Sequence, residues 1–165
     1  NMYTEKTIKY FKNPKFYGRI KNPDGVGKVG NIICGDFIVL SIKVKKDKNK
    51  EIIQDIKFET YGCLAAIATS VVVCEMAKGK TIEEVLKITQ QQVADFLGGL
   101  PPVKIHCSLL AVDALREAIY DYLKKNNRKI DKELEKTHQR ILKEQKLIEE
   151  KFKQSLDDDK KETTK

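Results

Sequence analysis

"FIVLSIKVKKDKNKEIIQDIKFETYG", residues 37 to 62, is the stretch that decides the fold. Its first ten residues are β-rich and alternate from Val39 or Leu40 onward. The run from Glu51 repeats the pattern through Ile52, Ile56 and Phe58. "DKNK" at 47 to 50 joins the two at hairpin length, so two antiparallel strands are predicted, with the segment near Ile32 as the candidate third. Upstream, "GRIKNPDGVGKVGN" (18 to 31) is glycine-rich and reads as a loop or a set of tight turns. "YTEKTIKYFKNP" (3 to 14) predicts a short amphipathic helix. Thr4 caps it, Ile8 and Phe11 share a face, and Asn13-Pro14 stops it.

Downstream of Cys63 the period becomes helical. "LAAIATSVVVCEMAKGK" (64 to 80) predicts a helix ended by Gly79. "TIEEVLKI" (81 to 88) and "TQQQVADFLGG" (89 to 99) predict two short helices capped by Thr81 and Thr89, and Thr81 with Glu84 has capping-box spacing. "SLLAVDALREAIYDYLKKN" (108 to 126) is a long amphipathic helix with Leu109, Val112, Leu115, Ile119 and Leu123 on one face. Beyond Asn126 glycine and proline vanish and charge of both signs dominates. Leu134, Ile141 and Ile148 fall seven apart, a narrow apolar seam on a solvated helix, while His138 and Gln145 interrupt a second stripe. The expected fold is α+β: a small antiparallel three-stranded sheet with helices packed on one face. That domain spans 1–126, and a charged, mostly helical tail spans 127–165.

Lysine and arginine total 32 against 24 acidic residues, a net charge of +8. The lysines are spread along the chain among Glu and Asp, without an Arg-rich stripe or aromatic stacking motif, so nucleic acid is not an expected partner. No apolar run approaches the roughly 20 residues a membrane helix needs. No secretory signal is visible, which sets the expected location as cytoplasmic.

The cysteines are Cys34, Cys63, Cys74 and Cys107, with no pair at Cys-x-x-Cys spacing. A reducing compartment disfavours disulfides and leaves buried small residues, metal ligands or reactive thiols. Cys34, Cys63 and Cys107 each stand where one element hands over to the next. At a helix N-terminus the free N–H groups and the dipole favour thiolate. Asp36 lies two residues from Cys34, so in extended chain both side chains point the same way, and Gly35 between them lets the backbone lie close. His106 adjoins Cys107 at the start of the long helix. Three sulfurs, one imidazole and one carboxylate suit zinc or iron–sulfur chemistry. Cys74, eleven residues after Cys63, would stand ~16 Å away along a helix and reads as a buried small residue. A papain-like nucleophile is disfavoured, because His106 is poorly placed to serve its own neighbour as base. A structural zinc module and a metal-free thiol-transfer enzyme remain as rival readings.

The motifs "YTEKTIKYFKNP", "CGD", "YGC", "AKGKTIEE" and "LPPVKIHCS", in this order from about Tyr3 to Lys125, resemble the U-type iron–sulfur cluster assembly scaffolds, the IscU family, which also forms the N-terminal module of NifU. The resemblance implies that Cys34, Cys63 and Cys107 are cluster ligands, with Asp36 and His106 as additional or exchanging ligands. It implies that Leu100, Pro101, Pro102, Val103 and Lys104 are read by a DnaK-like chaperone working with a co-chaperone. The implied chemistry is not enzymatic. Sulfur arrives from a cysteine desulfurase, with Cys107 the expected acceptor and Cys63 the next. Iron binds with help from Asp36, an electron donor such as ferredoxin contributes, and a [2Fe–2S] cluster passes to apo iron–sulfur proteins. Zinc in the resting state and a cluster-bearing homodimer are compatible with the same pattern. The chain departs from the family in carrying Leu64-Ala65 where Gly-Ser is usual. Its tail has no cysteine and so matches neither later module of full NifU.

Overall fold

The computed structural model describes residues 2–31 and 35–163; Ile32 and Cys34 lie outside the described residues. The element order is α1 (Glu5–Lys12), β1 (Gly25–Asn31), β2 (Asp36–Asp47), β3 (Lys50–Tyr61), α2 (Leu64–Ala77), α3 (Ile82–Val85), α4 (Gln90–Phe96), a 3-10 turn at Pro102–Lys104, α5 (Ile105–Lys125) and α6 (Lys132–Thr163). The three strands form one antiparallel sheet in the order β1-β2-β3. No helix is long and apolar enough to cross a membrane among the described residues.

The hairpin turns through Lys48 and Asn49, both at positive φ, which asparagine tolerates better than most residues. Its inner face presents Ile38, Leu40 and Ile42 beside Phe58 and Ile56, all fully buried. The ladder shifts register between Lys43 and Val44. That extra residue on β3 reverses the inside-outside phase. Ile53 is therefore the buried position, and Ile52, which simple alternation places inward, is only half-buried. Alternation also fails on β2, because Val39 and Ser41 on the opposite face are buried too. The chain near residues 19 to 24 runs against that side: Ile20 N–H donates to Ser41 Oγ at 3.1 Å and Arg19 pairs with Glu59 at 2.9 Å.

The largest correction concerns the glycine-rich segment, whose second half is strand rather than loop. β1 pairs with β2 from Gly25↔Ile42 to Asn31↔Asp36. Its glycines have a packing cause. A Cβ on Gly25 would stand 2.2 Å from the Ala118 carbonyl oxygen, and one on Gly27 would stand 2.0 Å from that of Ala114. Helix α5 thus lies on bare backbone. Val112, Leu115, Ile119 and Leu123 on α5 are buried as the periodicity predicts, but the helix begins at Ile105 rather than Ser108.

In α1, Thr4 caps as expected, accepting from Thr7 N–H at 3.2 Å. The buried side differs from the expected one: Thr7 is fully buried and Tyr10 packs on the core, while Phe11 is exposed. The reciprocal capping box sits at Thr89–Gln92 rather than at Thr81–Glu84, where the threonine hydroxyl is hydrogen-bonded to the glutamate instead. The seam on α6 docks: Leu134 and Ile141 are buried in the common core. His138 stacks on Tyr120 with ring centroids 3.7 Å apart and meets Glu117 at 2.8 Å, and Arg140 meets Asp113 at 2.8 Å.

Because α5 cannot retreat from Gly27 without leaving the core, Gly27→Ala is expected to cost about 2–3 kcal/mol in urea unfolding. Lys28→Ala, one residue on and exposed, should stay within about 0.5 kcal/mol. Equal midpoints for the two variants would remove the close approach as a constraint.

Candidate functional site

The antiparallel hairpin puts the start of β2 and the end of β3 at the same end of the sheet, so Asp36 and the "YGC" segment arrive together. Cys63 is the N-cap residue of α2. α5 runs back along β1 and brings His106 and Cys107, in its first turn, to that same end.

The groups converge closely. Cys63 and Cys107 have their sulfurs 3.7 Å apart, as free thiols. His106 Nε2 lies 3.3 Å from Asp36 Oδ2 and 3.8 Å from Cys107 Sγ, and the Cys107 thiol reaches the same carboxylate oxygen at 3.9 Å. Ligand atoms of Asp36, His106 and Cys107 all lie within 4.8 Å of one another, and Cys63 joins them through Cys107. Asp36 is buried, and its other oxygen accepts from Cys63 N–H at 3.4 Å. The carboxylate is therefore anchored by one oxygen and turned to the imidazole and thiol by the other. Cys74 is fully buried in the core, away from this set. Cys34 falls outside the described residues.

Helix capping separates this end from the rest of the molecule. Away from it, α1, α3 and α4 start on threonine caps, and Asp131 accepts from Leu134 N–H at the start of α6. α2 and α5 have neither a side-chain cap nor an acidic residue in the first turn. Both positive helix ends are left facing the thiols. The expectation that such a position favours thiolate is nonetheless not met at Cys107. Burial pushes its thiol up, and Cys63 and Asp36 push in the same direction, against a smaller opposing effect from Lys104. Lys104 is held as a cation chiefly by Cys63, with Cys107 and Asp36 adding to it. Cys63 is only half-buried and is the more accessible sulfur.

Gly62 is a site residue that motif reading passes over. A Cβ there would stand 2.9 Å from Asp36 Oδ1, 2.9 Å from Ala66 Cβ and 3.3 Å from Thr60 Oγ1. The signal was available as the middle letter of "YGC". Around the rim, Phe37 and Tyr61 are cross-strand partners and both exposed. In the "LPPVK" segment Leu100 packs on the core and Pro101 is buried, while Pro102 is exposed, Val103 is 71% exposed and Lys104 is half-buried.

The family model of the NifU-like N terminal domain matches residues 2–129. The chain belongs to this family. Among curated relatives, the iron–sulfur cluster assembly scaffold protein IscU 1 of Archaeoglobus fulgidus is 59% identical over 131 residues, covering 79% of this chain and 82% of that one. The IscU scaffold protein of Aquifex aeolicus is 44% identical over 126 residues, covering 76% and 79%. Among solved structures, one from Fervidobacterium islandicum AW-1, described as a cluster assembly scaffold for the SUF system, superposes with a TM-score of 0.57. It is 28% identical, over 72% of this chain and 96% of that one. α6 lies outside the matched residues.

Gly62→Ala should displace the Asp36 carboxylate without unfolding the protein, because it acts at the rim of the core. Ferrous ion affinity, measured anaerobically by competition with a chromophoric chelator, is expected to fall about tenfold. Unchanged affinity would mean that Asp36 takes no part in iron binding.

Proposed function

We propose that this chain is a scaffold on which an iron–sulfur cluster is assembled and from which it is handed on. The observation that carries the reading is the convergence of a carboxylate, an imidazole and two thiols at the uncapped ends of α2 and α5. It occurs in a chain 59% identical to a named scaffold. Cys34, Cys63 and Cys107 act as the sulfur ligands, with Asp36 and His106 completing or exchanging the set. The cluster is cargo, a [2Fe–2S] unit, and zinc is its competitor in the resting protein.

Each residue has a role in this scheme. The thiolate of Cys107 attacks the outer sulfur of a desulfurase persulfide, a new S–S bond forms, and the desulfurase thiolate leaves. Cys63 is the alternative acceptor, and its exposure favours it before metal binds. Two electrons from a ferredoxin-like donor reduce the sulfane sulfur to sulfide. Lys104 counters the burial that holds the Cys107 proton in place. Asp36 attracts Fe²⁺ as a hard, anionic ligand and is the weak contact once soft sulfide is present. Exposed Pro102 and Val103, with half-buried Lys104, form the part of the segment offered to a DnaK-like ATPase and its co-chaperone, which loosen the site for transfer to apo-proteins. The chain is altered by what it carries and does not turn over. All of these residues lie within 1–126; the remainder contributes packing through Leu134 and Ile141 rather than ligands.

A closed structural zinc site fits less well. The His106 side chain is 46% exposed, and the apolar core closes around residues that include neither Cys63 nor Cys107. A thiol-transfer enzyme would need no carboxylate beside its nucleophile, since Asp36 opposes deprotonation of Cys107. Anaerobic reconstitution with ferrous iron, a desulfurase and cysteine is the test. A visible cluster spectrum is expected; tight colourless zinc alone, or turnover without metal, would favour a rival.

Asp36→Ala is expected to slow iron loading and to leave a finished cluster no less stable but several-fold slower to reach an apo-ferredoxin. Normal loading with faster transfer would give the release role to His106. Lys104→Ala should weaken binding of the chaperone ATPase at least about tenfold and lower cluster formation by a smaller factor. Equal chaperone affinity in variant and parent would remove that assignment.

A further inference from the structure

Cys63 and Cys107 form a pair that can react within itself, apart from any role as ligands. Their sulfurs stand 3.7 Å apart, in van der Waals contact, and both are free thiols. Two helix starts hold them there. Cys63 is the N-cap residue of α2, and Cys107 lies in the first turn of α5. Fully buried Thr69, on α2, brings its hydroxyl within 3.3 Å of the Cys107 carbonyl oxygen and ties the two helices together. Reacting atoms held about 3–3.5 Å apart are poised for attack, and this pair falls just outside that range. Closing to a disulfide asks the sulfurs to approach by less than about 2 Å. Asp36 Oδ2 and His106 Nε2 also lie near Cys107 Sγ, at 3.9 and 3.8 Å. Neither group carries reducing electrons. Among the described residues, the thiol within reach of the buried Cys107 sulfur is that of Cys63.

The pairing bears on how a sulfane sulfur leaves as sulfide. We infer that Cys63 and Cys107 act together as an internal two-electron reductant, releasing sulfide from a Cys107 persulfide by closing to a disulfide. The inference rests on the scaffold reading and adds a chemical step to it. The Cys63 thiolate attacks Cys107 Sγ, the inner sulfur of the persulfide and the atom it already touches. The Cys63–Cys107 bond forms and the bond from Cys107 Sγ to the sulfane sulfur breaks. The electron pair of that bond leaves with HS⁻, which takes up the proton released from Cys63. The two cysteine sulfurs lose two electrons between them and the sulfane sulfur gains two, so no other reductant enters the step. Attack at the outer sulfur would only move the persulfide to Cys63. Sulfur loaded first on Cys63 is released in the same way with the roles exchanged. The ferredoxin-like donor then reopens the disulfide, so its two electrons reach the sulfane sulfur by way of the pair. A closed pair has no thiolate to offer, so iron binds these two residues only after the disulfide is reopened.

A single turnover without an electron donor tests this. The full chain is stripped of metal, reduced, freed of reductant, and mixed anaerobically with a cysteine desulfurase and one equivalent of cysteine. Intact mass, peptide mapping after acid quench and a sulfide assay follow the products. The parent should first gain the mass of one sulfur. It should then lose that sulfur and two hydrogens as sulfide and a Cys63–Cys107 linked peptide appear together. Cys63→Ser should keep its persulfide on Cys107, and Cys107→Ser on Cys63, each at least about tenfold longer than the parent and with no linked peptide. Cys74→Ser should behave as the parent does. A parent persulfide as long-lived as that of the two variants would overturn the inference and leave the scaffold reading standing. So would sulfide released by Cys63→Ser at the parent rate, or a disulfide that joins Cys34 or Cys74 instead. A parent that gains no sulfur at all would overturn both.

Discussion

Everything at the end of the sheet where Asp36, Cys63, His106 and Cys107 gather depends on how closely α5 approaches β1. At Gly25 and Gly27 the helix backbone occupies the space a Cβ would fill, so the two elements are locked at a distance no other residue permits. That contact fixes the height of α5 on the sheet. Antiparallel travel along β1 then delivers the first turn of α5 to the point where β2 begins and β3 ends. Asp36, Cys63 and the adjacent pair His106 and Cys107 come from three separate places in the sequence, and a shift of the helix by one turn would separate them by about 5 Å.

The site is built from elements left incomplete. The described helices away from it begin on Thr4, Thr81, Thr89 or Asp131, whereas α2 and α5 begin without a side-chain cap. Their free N–H groups supply positive potential beside the Cys63 and Cys107 sulfurs. Burial and the neighbouring Cys63 and Asp36 set the opposing cost, pushing the Cys107 thiol up. In the proposed scaffold metal and proton would compete for the same sulfur, and iron binding there would release that proton. Asp36 links the two demands, holding Cys63 N–H with one oxygen and facing His106 with the other.

Much of this was legible in the sequence. The hairpin announced itself by composition and turn length, the threonine caps by position, and Asp36, Cys63, His106 and Cys107 as a set by their placement at element boundaries. What was not legible arose from contacts between distant segments. The glycines of β1 read as a loop because their cause, the Ala114 and Ala118 carbonyls, lies about ninety residues away. The bulge that exchanged Ile52 for Ile53 leaves no local signature. Gly62 looked like a spacer until Asp36 was seen against it. His138 and Gln145 appeared to break a stripe on α6; they meet Glu117 and the Lys28 carbonyl and are part of the docking.

The central claim is that Cys63 and Cys107 hold the metal together while Cys74 takes no part. Cobalt(II) added anaerobically to the metal-free protein reads this directly, because thiolate-to-cobalt charge transfer in the near ultraviolet scales with the number of bound sulfurs. The account predicts a clear loss of that band in Cys63→Ser and in Cys107→Ser, and a parent-like spectrum in Cys74→Ser. A band that survives in both site variants, or that vanishes with Cys74→Ser while the fold is intact, would contradict it.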